Sequence, residues 1–449
     1  MQFKQFFLGC LAHASYYIGS ETEAAIVDPQ RDVEQYLAEA EANNQKIKFI
    51  IETHLHADFV SGHIELAKKT GAKIIFGAKA KAEFEHTAVR GGDVLTVGAV
   101  KLKILETPGH TPEGISVVVE NGAESKKVLT GDTLFIGDVG RPDLVGSKGF
   151  SAEQMAGFLY DSLHGKLLDL PDDTEVYPAH GAGSLCGKNM SKETWSTIGE
   201  QKKLNYALQP MGKIDFVKMM TENLSEAPAY FPKSVAKNLS GAKSLAELSK
   251  PKPMLAQEVK DFSGTIVDVR SADEYGAAHV PNALNIGLGG QFASWAGTLI
   301  DTDAPIAIIA DTEKQVEEAV MRLARVGIET VKGFLLMADW TFESATIEQI
   351  SVGRMNERLN ENKNIQFVDV RRTGEYESGH APQTVNLTLS ELNNLAANLD
   401  ASLPTYVICQ GGYRSSAGAS ILEQKGFKKL YNVSGGTGAW INEGLEIEE

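Results

Sequence analysis

The sequence has few of the features that would place it outside the cell or in a membrane. Only three of its 449 residues are cysteine, Cys10, Cys186 and Cys409. Because they are few, odd in number and far apart, we expect no disulfide framework and a reducing cytoplasm. A run of about 18 apolar residues is absent, so no segment is expected to span a bilayer.

Basic residues are also scarce relative to acidic ones. The 43 Lys and Arg against 59 Asp and Glu give a net charge of −16. This excess argues against nucleic acid or an anionic membrane surface as a partner. It does not exclude an anionic small substrate, because the charge at a site can oppose the net charge. The length and the 43% hydrophobic content predict about three globular domains.

Two histidines and an aspartate lie close together in residues 53–59, Thr-His-Leu-His-Ala-Asp-Phe. The apolar run 47–51 predicts a buried strand before them, and residues 62–69 predict a helix after them. His54, His56 and Asp58 are therefore expected in a turn where side chains can converge on one point. Two imidazoles at this spacing can face one ion, and Asp58 can join them or hold one in place.

Three later turns repeat this placement of a metal-binding side chain just after a predicted strand. They contain His110, Asp132 and His180, which follow predicted strands over 100–105, 127–129 and 175–177. Each residue is flanked by a small or turn-forming residue. Four such turns in one segment predict a metal centre rather than scattered core histidines.

The order H-x-H-x-D, G-H, G-D and A-H-G resembles the metallo-β-lactamase superfamily over roughly residues 1–240. The resemblance implies an αββα sandwich with the site at one sheet edge. Residues 140–143, Gly-Arg-Pro-Asp, look most like those of persulfide dioxygenases and glyoxalase II enzymes. By resemblance to persulfide dioxygenases, one Fe(II) would be held by His54, His110 and Asp132. This face of two histidines and one carboxylate leaves positions for a thiolate and dioxygen.

One residue departs from the pattern of the superfamily members that bind two metals. Those enzymes usually carry a histidine directly after the motif's aspartate, where this chain has Phe59. The donors left for a second ion would be Asp58, His180 and a shared Asp132. These are too few for a metal that takes about four donors. We therefore expect one ion, with zinc as the alternative to iron. His56, Asp58 and His180 would then orient ligands or solvent.

Two other residues near these turns are candidate substrate-binding groups. Arg141 can anchor a substrate carboxylate by bidentate contact, or it can form a buried ion pair with Asp143 that shapes the loop. The resemblance favours the first role. Cys186, six residues after His180 in a glycine-rich loop, can place a thiol in the pocket. Its alternative role is that of a small buried apolar residue.

A repeat begins beyond a predicted linker at residues 250–253, Lys-Pro-Lys-Pro. The sequence Thr-Ile-Val-Asp-Val-Arg at 265–270 is echoed by Gln-Phe-Val-Asp-Val-Arg at 366–371, which begins 101 residues later. A Glu-Tyr pair and a later His-x-Pro follow in both copies. The chain is therefore expected to contain two copies of one α/β module, which resembles the rhodanese (sulfurtransferase) family.

The second copy keeps the cysteine on which rhodanese chemistry depends. Cys409 follows a predicted strand at 405–408 and precedes a predicted helix at 415–426. Inward-pointing N–H groups and the helix dipole would stabilise its thiolate or persulfide. The loop contains Cys409, Gln410, Gly411, Gly412, Tyr413 and Arg414. Arg414 can bind thiosulfate or sulfite, or simply brace the loop.

The first copy has Asp311 where the second has its cysteine. A carboxylate cannot carry a persulfide, so this copy is predicted to be an inactive spacer or interface. The domains are therefore expected at 1–247, an αββα sandwich, and at 254–350 and 351–449, two rhodanese-like α/β domains with mainly parallel sheets.

Together the two resemblances imply a cytoplasmic persulfide dioxygenase fused to a sulfurtransferase. It would oxidise the persulfide of glutathione, coenzyme A or bacillithiol with dioxygen to sulfite. Cys409 would take sulfane sulfur from a second persulfide and pass it to sulfite, which gives thiosulfate. Two alternatives stay open. One is a glyoxalase II-like zinc thioester hydrolase, and the other is a sulfur-binding or signalling module without turnover. The sequence leaves the oligomeric state open, including a homo-oligomer.

Overall fold

The structure is a computed structural model that describes residues 1–124, 126–144, 149–187, 190–222, 224, 227–361 and 364–449. The chain forms two compact units. The first comprises Met1–Leu248 with Ala324–Gly327, and the second comprises Ser249–Leu323 with Ile328–Glu449. Within the described ranges, every helix is too short or too polar to cross a membrane.

The first unit contains two six-stranded sheets. The first sheet consists, in spatial order, of β1 (Gln2–Leu8), β2 (His13–Ser20), β3 (Glu23–Val27), β4 (Lys46–Ile51), β5 (Lys73–Gly77) and β6 (Thr87–Val89). Helix α1 (Glu34–Ala42) connects β3 to β4, and α2 (His63–Thr70) connects β4 to β5. Because β3 to β6 are parallel, the carboxyl ends of these strands lie at one edge of the sheet.

The second sheet consists of β12 (Ser196–Thr197), β11 (Glu175–Pro178), β10 (Lys127–Gly131), β9 (Ile115–Glu120), β8 (Val100–Glu106) and β7 (Val94–Val97). Among the described residues of this sheet, β10 and β11 are parallel, and the other paired strands are antiparallel. The helices that follow in this unit are α3 (Ala152–Ser162), α4 (Ile198–Leu204), α5 (Lys213–Thr221) and α6 (Phe231–Ser240).

Successive side chains of a strand point to opposite faces of the sheet, and this alternation produces the layers of the first unit. Tyr16 and Ile18 of β2 pack into a core between the two sheets. Tyr17 points to the opposite face, where it belongs to the cluster that contains Tyr36 of α1. On the far side of the second sheet, strand residues pack against α3 and α5. The predicted αββα sandwich is therefore confirmed.

The second unit contains two five-stranded sheets. One has the order β13 (Lys252–Pro253), β17 (Val331–Leu336), β16 (Ile306–Ala310), β14 (Thr265–Asp268) and β15 (Leu284–Asn285). The other has the order β18 (Glu348–Ser351), β22 (Leu430–Ser434), β21 (Thr405–Ile408), β19 (Gln366–Asp369) and β20 (Val385–Asn386). All registered pairs are parallel, as predicted.

The helices of the second unit are α7 (Ala256–Lys260), α8 (Ala272–Ala277), α9 (Phe292–Leu299), α10 (Glu313–Arg325), α11 (Val352–Glu361), α12 (Thr373–Glu377), α13 (Leu392–Leu395), α14 (Tyr413–Gln424) and α15 (Gly436–Asn442). Helix α14 begins two residues before the predicted start. Lys252 and Pro253, expected in the linker, instead form an edge strand, where a proline is tolerated.

The repeated Asp-Val-Arg sequence has the same structural role in both copies. Arg270 pairs with Asp268 at 2.6 Å, and Arg371 pairs with Asp369 at 2.8 Å. Each guanidinium also donates to a backbone carbonyl eight residues later in the chain. The motif therefore connects two places in each copy. One is the end of the strand that contains the aspartate, β14 or β19, and the other is the turn after the next helix, α8 or α12.

Candidate metal centre and candidate sulfur-transfer site

Three predicted metal ligands meet at the edge of the first unit's sheets. His54 follows β4, His110 follows β8, and Asp132 follows β10 directly. The Nε2 atoms of His54 and His110 lie 3.8 Å and 3.5 Å from Asp132 Oδ2. One ion with bonds of about 2.1 Å can bridge donors at this spacing. All three side chains are buried, so a bound ion would be largely shielded from solvent.

Hydrogen bonds fix which ring nitrogen of each histidine can face an ion. His110 Nδ1 donates to the carbonyl oxygen of Arg141 at 2.9 Å. Thr53 donates its hydroxyl to Asp28 Oδ2 at 2.9 Å, so its oxygen accepts from His54 Nδ1, also at 2.9 Å. These contacts assign the proton of both rings to Nδ1 and leave a lone pair on Nε2.

The charges in the cluster also suit a divalent cation. Burial, together with the neighbouring charge of His56, lowers the pKa of His54 well below its ordinary value. Burial opposes ionisation of Asp132, but His180 and His54 hold the pKa of its carboxyl well below its usual range. A neutral imidazole and a carboxylate are the forms that bind metal. The donor set at this centre therefore fits one divalent ion such as Fe(II) or zinc.

Replacing Thr53 by valine should weaken metal binding without changing the size of the side chain. The substitution removes the acceptor that holds the His54 ring in its metal-binding orientation. We expect a loss of metal affinity of about 10- to 100-fold, measured by competition with a metal chelator. Thr53→Ser keeps the hydroxyl and should bind metal like the wild type. Equal affinity in all three proteins would show that the hydrogen bond does not orient His54.

His56 does not join His54 at this centre. Its Nε2 lies 3.2 Å from Asp28 Oδ1 and 3.3 Å from Glu52 Oε2. Burial disfavours a charge on the ring, but Asp28 and Glu52 raise the pKa of His56 well above its ordinary value. The Nε2 side of the ring therefore lies between two buried acidic side chains. Its predicted role in orienting ligands or solvent stays a prediction.

Asp28 and Glu52 are site residues that the sequence reading missed. They directly follow β3 and β4, which are parallel neighbours, so a search for acidic residues after strands would have found both. Asp28 also has a φ of 52°, a conformation that non-glycine residues rarely adopt. There its carboxylate accepts from both the backbone and the side chain of Thr53.

A third group contains Asp58, His180 and Cys186, whose possible ligand atoms lie within 4.8 Å of one another. His180 Nδ1 lies 2.8 Å from Asp132 Oδ1, and its Nε2 lies 2.8 Å from Asp58 Oδ2. Against the effect of burial, Asp132 and Asp58 raise the pKa of His180 to about 10, so both ring nitrogens donate. His180 therefore connects the predicted ligand Asp132 to Asp58.

Cys186 is buried beside the same carboxylates. Burial, and then the charges of Asp132 and Asp58, raise the pKa of the Cys186 thiol well above its ordinary value. The sulfur is consequently a thiol rather than a thiolate at neutral pH in these surroundings. The residue is a small buried side chain grouped with Asp58 and His180, as its alternative role described, and a role toward substrate stays a prediction.

Phe59 fills space next to a histidine that the sequence reading did not single out. Its ring centroid lies 4.4 Å from that of His56 and 4.2 Å from that of His13. His13 is fully buried, and neither of its ring nitrogens has a hydrogen-bond partner among the described residues. Burial and the charge of His180 lower the pKa of His13, so the ring is neutral. Because His13 starts an antiparallel strand, the strand-end pattern could not reveal it.

Arg141 forms the ion pair that the sequence reading gave as its alternative role. Its Nε and Nη2 donate to the two carboxylate oxygens of Asp143 at 2.7 Å and 2.6 Å. The backbone of Arg141 also accepts from His110 and donates to the carbonyl of Cys186. The residue therefore shapes the loop beside the centre, and contact of its guanidinium with a substrate stays a prediction.

The second unit places Cys409 in a donor-lined turn between β21 and α14. The sulfur accepts from the backbone N–H of Gly412 at 3.1 Å and from the hydroxyl of Ser415 at 3.4 Å. Gly412 has a φ of 93°, which a residue with a side chain would adopt only with strain. Such donors stabilise a sulfur anion, as the loop sequence led us to expect. Ser415 was not predicted.

Arg414 is braced by a carboxylate that the sequence reading did not identify. Its two Nη atoms each donate to an oxygen of Glu375 at 2.7 Å. Burial alone would raise the pKa of Glu375, but Arg414 lowers it, so the pair is ionic. This is the bracing arrangement expected as one of two roles, and binding of thiosulfate or sulfite stays a prediction. The exposed loop residues Gln410 and Gly411 lie at the solvent side of the turn.

The first copy has no thiol at the corresponding position. Asp311 follows β16 and lies 3.7 Å from Arg270 Nη1. Burial raises the pKa of Asp311, against the opposing charge of Arg270. The inactivity of this copy in sulfur transfer stays a prediction.

Comparisons with known proteins match the first unit and the second unit to two different families. Residues 8–180 match the Metallo-beta-lactamase superfamily, and residues 252–335 and 351–443 match the Rhodanese-like domain. Glyoxylase B2 of Dictyostelium discoideum is 30% identical over 213 residues, which cover 43% of this chain and 68% of that protein. The cytoplasmic hydroxyacylglutathione hydrolase of Arabidopsis thaliana is 39% identical over 186 residues, which cover 39% of this chain and 67% of that protein.

A solved structure extends the similarity further along the chain. The crystal structure of a metallo-beta-lactamase from Staphylococcus aureus subsp. aureus COL is 31% identical in sequence and has a TM-score of 0.68. The similarity covers 75% of this chain and 98% of that one. The shared region is therefore longer than the metal-binding domain alone.

Proposed function

Because the chain belongs to the metallo-beta-lactamase superfamily and carries two rhodanese-like domains after that domain, we propose that it is a persulfide dioxygenase fused to a sulfurtransferase. One persulfide, one dioxygen and one water would yield one thiol, one sulfite and two protons. The thiol carrier is a small molecule of the glutathione, coenzyme A or bacillithiol type. We propose that the enzyme works in the cytoplasm, a location that suits a chain with only three cysteines.

The orientation of His56 is the observation that carries this proposal. Its Nε2 lies near Asp28 and Glu52, and His56 is not one of the three residues whose possible ligand atoms lie together, His54, His110 and Asp132. That group is left with two imidazoles and one carboxylate, a set typical of non-haem Fe(II) oxygenases. Phe59 adds no donor nearby. This arrangement favours a site for one iron over a site for two zinc ions, which would need more protein donors.

Each of the three ligands has a partner that would hold it in place. Thr53 orients His54, the Arg141 carbonyl orients His110, and His180 holds Asp132. A bound Fe(II) would supply the redox chemistry that joins the outer persulfide sulfur to dioxygen. The buried surroundings of the ligands would limit access of solvent to that chemistry.

The second reaction would take place at Cys409. Its thiolate would attack the outer sulfur of a persulfide, so that a new S–S bond forms and the carrier thiolate leaves with the electron pair of the old one. Sulfite would then attack the outer sulfur of the Cys409 persulfide. This step forms thiosulfate and returns the Cys409 thiolate. The N–H of Gly412 and the hydroxyl of Ser415 would stabilise each sulfur anion at this position.

A zinc thioester hydrolase is the second candidate function. The name of the Arabidopsis relative, hydroxyacylglutathione hydrolase, favours it. So does the group of Asp58, His180 and Cys186, which could hold a second ion if that ion displaced the protons of His180 and Cys186. A second ion held there would supply the chemistry for attack of water on a thioester carbonyl.

Metal analysis combined with two activity assays distinguishes the two functions. The full-length protein would be analysed for iron and zinc, then assayed for oxygen uptake with glutathione persulfide and for hydrolysis of a glutathione thioester. We expect one iron per chain, oxygen uptake and no hydrolysis. Two zinc ions with hydrolysis and no oxygen uptake would overturn the proposal in favour of the hydrolase.

A further inference from the structure

We propose that the cysteine-less copy, residues 254–350, is a positioning element for the Cys409 loop, acting through Tyr413. The inference rests on the proposed sulfur transfer and gives this copy a function beyond that of a spacer. Tyr413 is both the fifth residue of the Cys409 loop and the first residue of α14. Its side chain reaches the first copy, where it contacts Gly287 and Gly290.

One hydrogen bond anchors this side chain. The hydroxyl of Tyr413 donates to the carbonyl oxygen of Gly287 at 2.8 Å. Burial raises the pKa of Tyr413, so the hydroxyl keeps its proton and remains a donor at physiological pH. Gly287 lies just after β15 of the first copy, at the start of the segment 287–290. The loop that carries Cys409 is thereby held at its junction with α14.

The segment 287–290 is itself fixed and shaped to receive the ring. Arg322 of α10 donates to the carbonyl oxygens of Leu288 at 2.6 Å and Gly290 at 2.8 Å. A Cβ atom on Gly290 would lie only 2.6 Å from the nearest atom of the Tyr413 ring. Gly290 therefore leaves room for the ring, and any side chain there would push Tyr413 away.

The contact with the first copy continues along α14. Ser416 donates to Asn285 Oδ1 at 2.6 Å, and Ser420 accepts from the backbone of Asn285 at 3.1 Å. Further along the helix, Glu423 accepts from His279 and from the backbone of Asn282. The start of α14 presents the Gly412 N–H and the Ser415 hydroxyl to the sulfur. The first copy thus holds this helix on one side. Displacing its first turn would displace both sulfur donors.

The adjacent glycines 289 and 290 provide a matched pair of variants. Gly290→Ala places a methyl group against the Tyr413 ring, whereas a Cβ on the exposed Gly289 would meet nothing within 4 Å. We expect Gly290→Ala to lower kcat/KM for sulfur transfer from thiosulfate to cyanide by about 10- to 100-fold, the effect of a displacement near 1 Å. Gly289→Ala should stay within about twofold of the wild type.

A second readout separates positioning of the loop from general destabilisation. Alkylation of Cys409 by iodoacetamide, followed by mass spectrometry across a range of pH, should show a shifted pH profile in Gly290→Ala but not in Gly289→Ala. Thermal melting and oxygen uptake with glutathione persulfide should match the wild type in both variants. An unchanged alkylation profile in Gly290→Ala would overturn the proposal. Because alkylation needs no turnover, this result is independent of whether the proposed sulfur transfer occurs.

A double-mutant cycle tests whether Gly290 acts through Tyr413. In a Tyr413→Ala background the ring is absent, so the added methyl group of Gly290→Ala should cause no further loss of sulfur transfer or change in alkylation. Additive effects of the two substitutions would show that Gly290 acts by another route and would contradict the proposed anchoring.

Discussion

Replacing Cys409 by serine is expected to reduce sulfur transfer by at least about a thousandfold while leaving oxygen uptake unchanged. A serine hydroxyl is not ionised at neutral pH and cannot form a persulfide, although it fits the same turn. The sulfur is held by Gly412 and Ser415, and neither contact is shared with the metal-binding residues of the first unit. Thiosulfate formation from glutathione persulfide and sulfite measures the transfer, and an oxygen electrode measures the oxidation.

Cys10→Ser provides the control for this experiment, because Cys10 lies outside both candidate sites. It should retain both activities, which would show that loss of a thiol is not by itself harmful. Thiosulfate formation by Cys409→Ser at the wild-type rate would remove Cys409 from the mechanism. Loss of oxygen uptake in the same variant would contradict the assignment of the two reactions to separate sites.

The sequence predicted the positions of His54, His110, Asp132 and His180 because the signal for each is local. Each follows an apolar strand and sits beside a turn-forming residue, so a window of about ten residues contains the information. The repeated Asp-Val-Arg sequence and the turn after β21 located the second unit's sheets and Cys409 in the same way. The αββα layers themselves were inferred from family resemblance.

The side-chain orientations could not be predicted because they depend on distant parts of the chain. His56 turns toward Asp28, which lies 28 positions earlier, and the Arg414 guanidinium is taken by Glu375, 39 positions earlier. The contact of Tyr413 with Gly287 spans 126 positions. A motif specifies which residues are present and how the backbone turns, but the fold decides which partners they meet.

Three buried groups of side chains in the first unit are connected by hydrogen bonds and ion pairs. They are His54, His110 and Asp132; His56, Asp28 and Glu52; and Asp58, His180 and Cys186. The Nε2 of His56 lies near Asp28, and Asp28 accepts from Thr53, which orients His54. On the other side, His180 joins Asp132 to Asp58. Buried polar and charged groups are costly unless they are paired, and both Thr53, which orients His54, and His180, which holds Asp132, have such partners in Asp28 and Asp58. The geometry of the candidate ligands His54 and Asp132 is therefore maintained by residues outside the group of three.

Replacing His110 by alanine is expected to remove the bound metal and with it oxygen uptake. His110 is one of the three candidate ligands grouped at the centre among the described residues, and its Nε2 lies 3.5 Å from Asp132 Oδ2. A two-donor remnant would bind a divalent ion too weakly to survive dialysis against a chelator. Elemental analysis should find less than about a tenth of the wild-type metal content, in line with the loss of one ligand. Sulfur transfer from thiosulfate to cyanide should continue, because it needs only Cys409.

His86→Ala is the matched control for this loss of metal. His86 belongs to the same unit but to none of the three groups of possible metal ligands in the described residues, and its Nδ1 lies 2.8 Å from the carbonyl oxygen of Phe84. This variant should keep full metal content and oxygen uptake. If His110→Ala instead retained its metal while losing oxygen uptake, His110 would act on substrate rather than as a ligand. Retention of both metal and activity would remove it from the centre altogether.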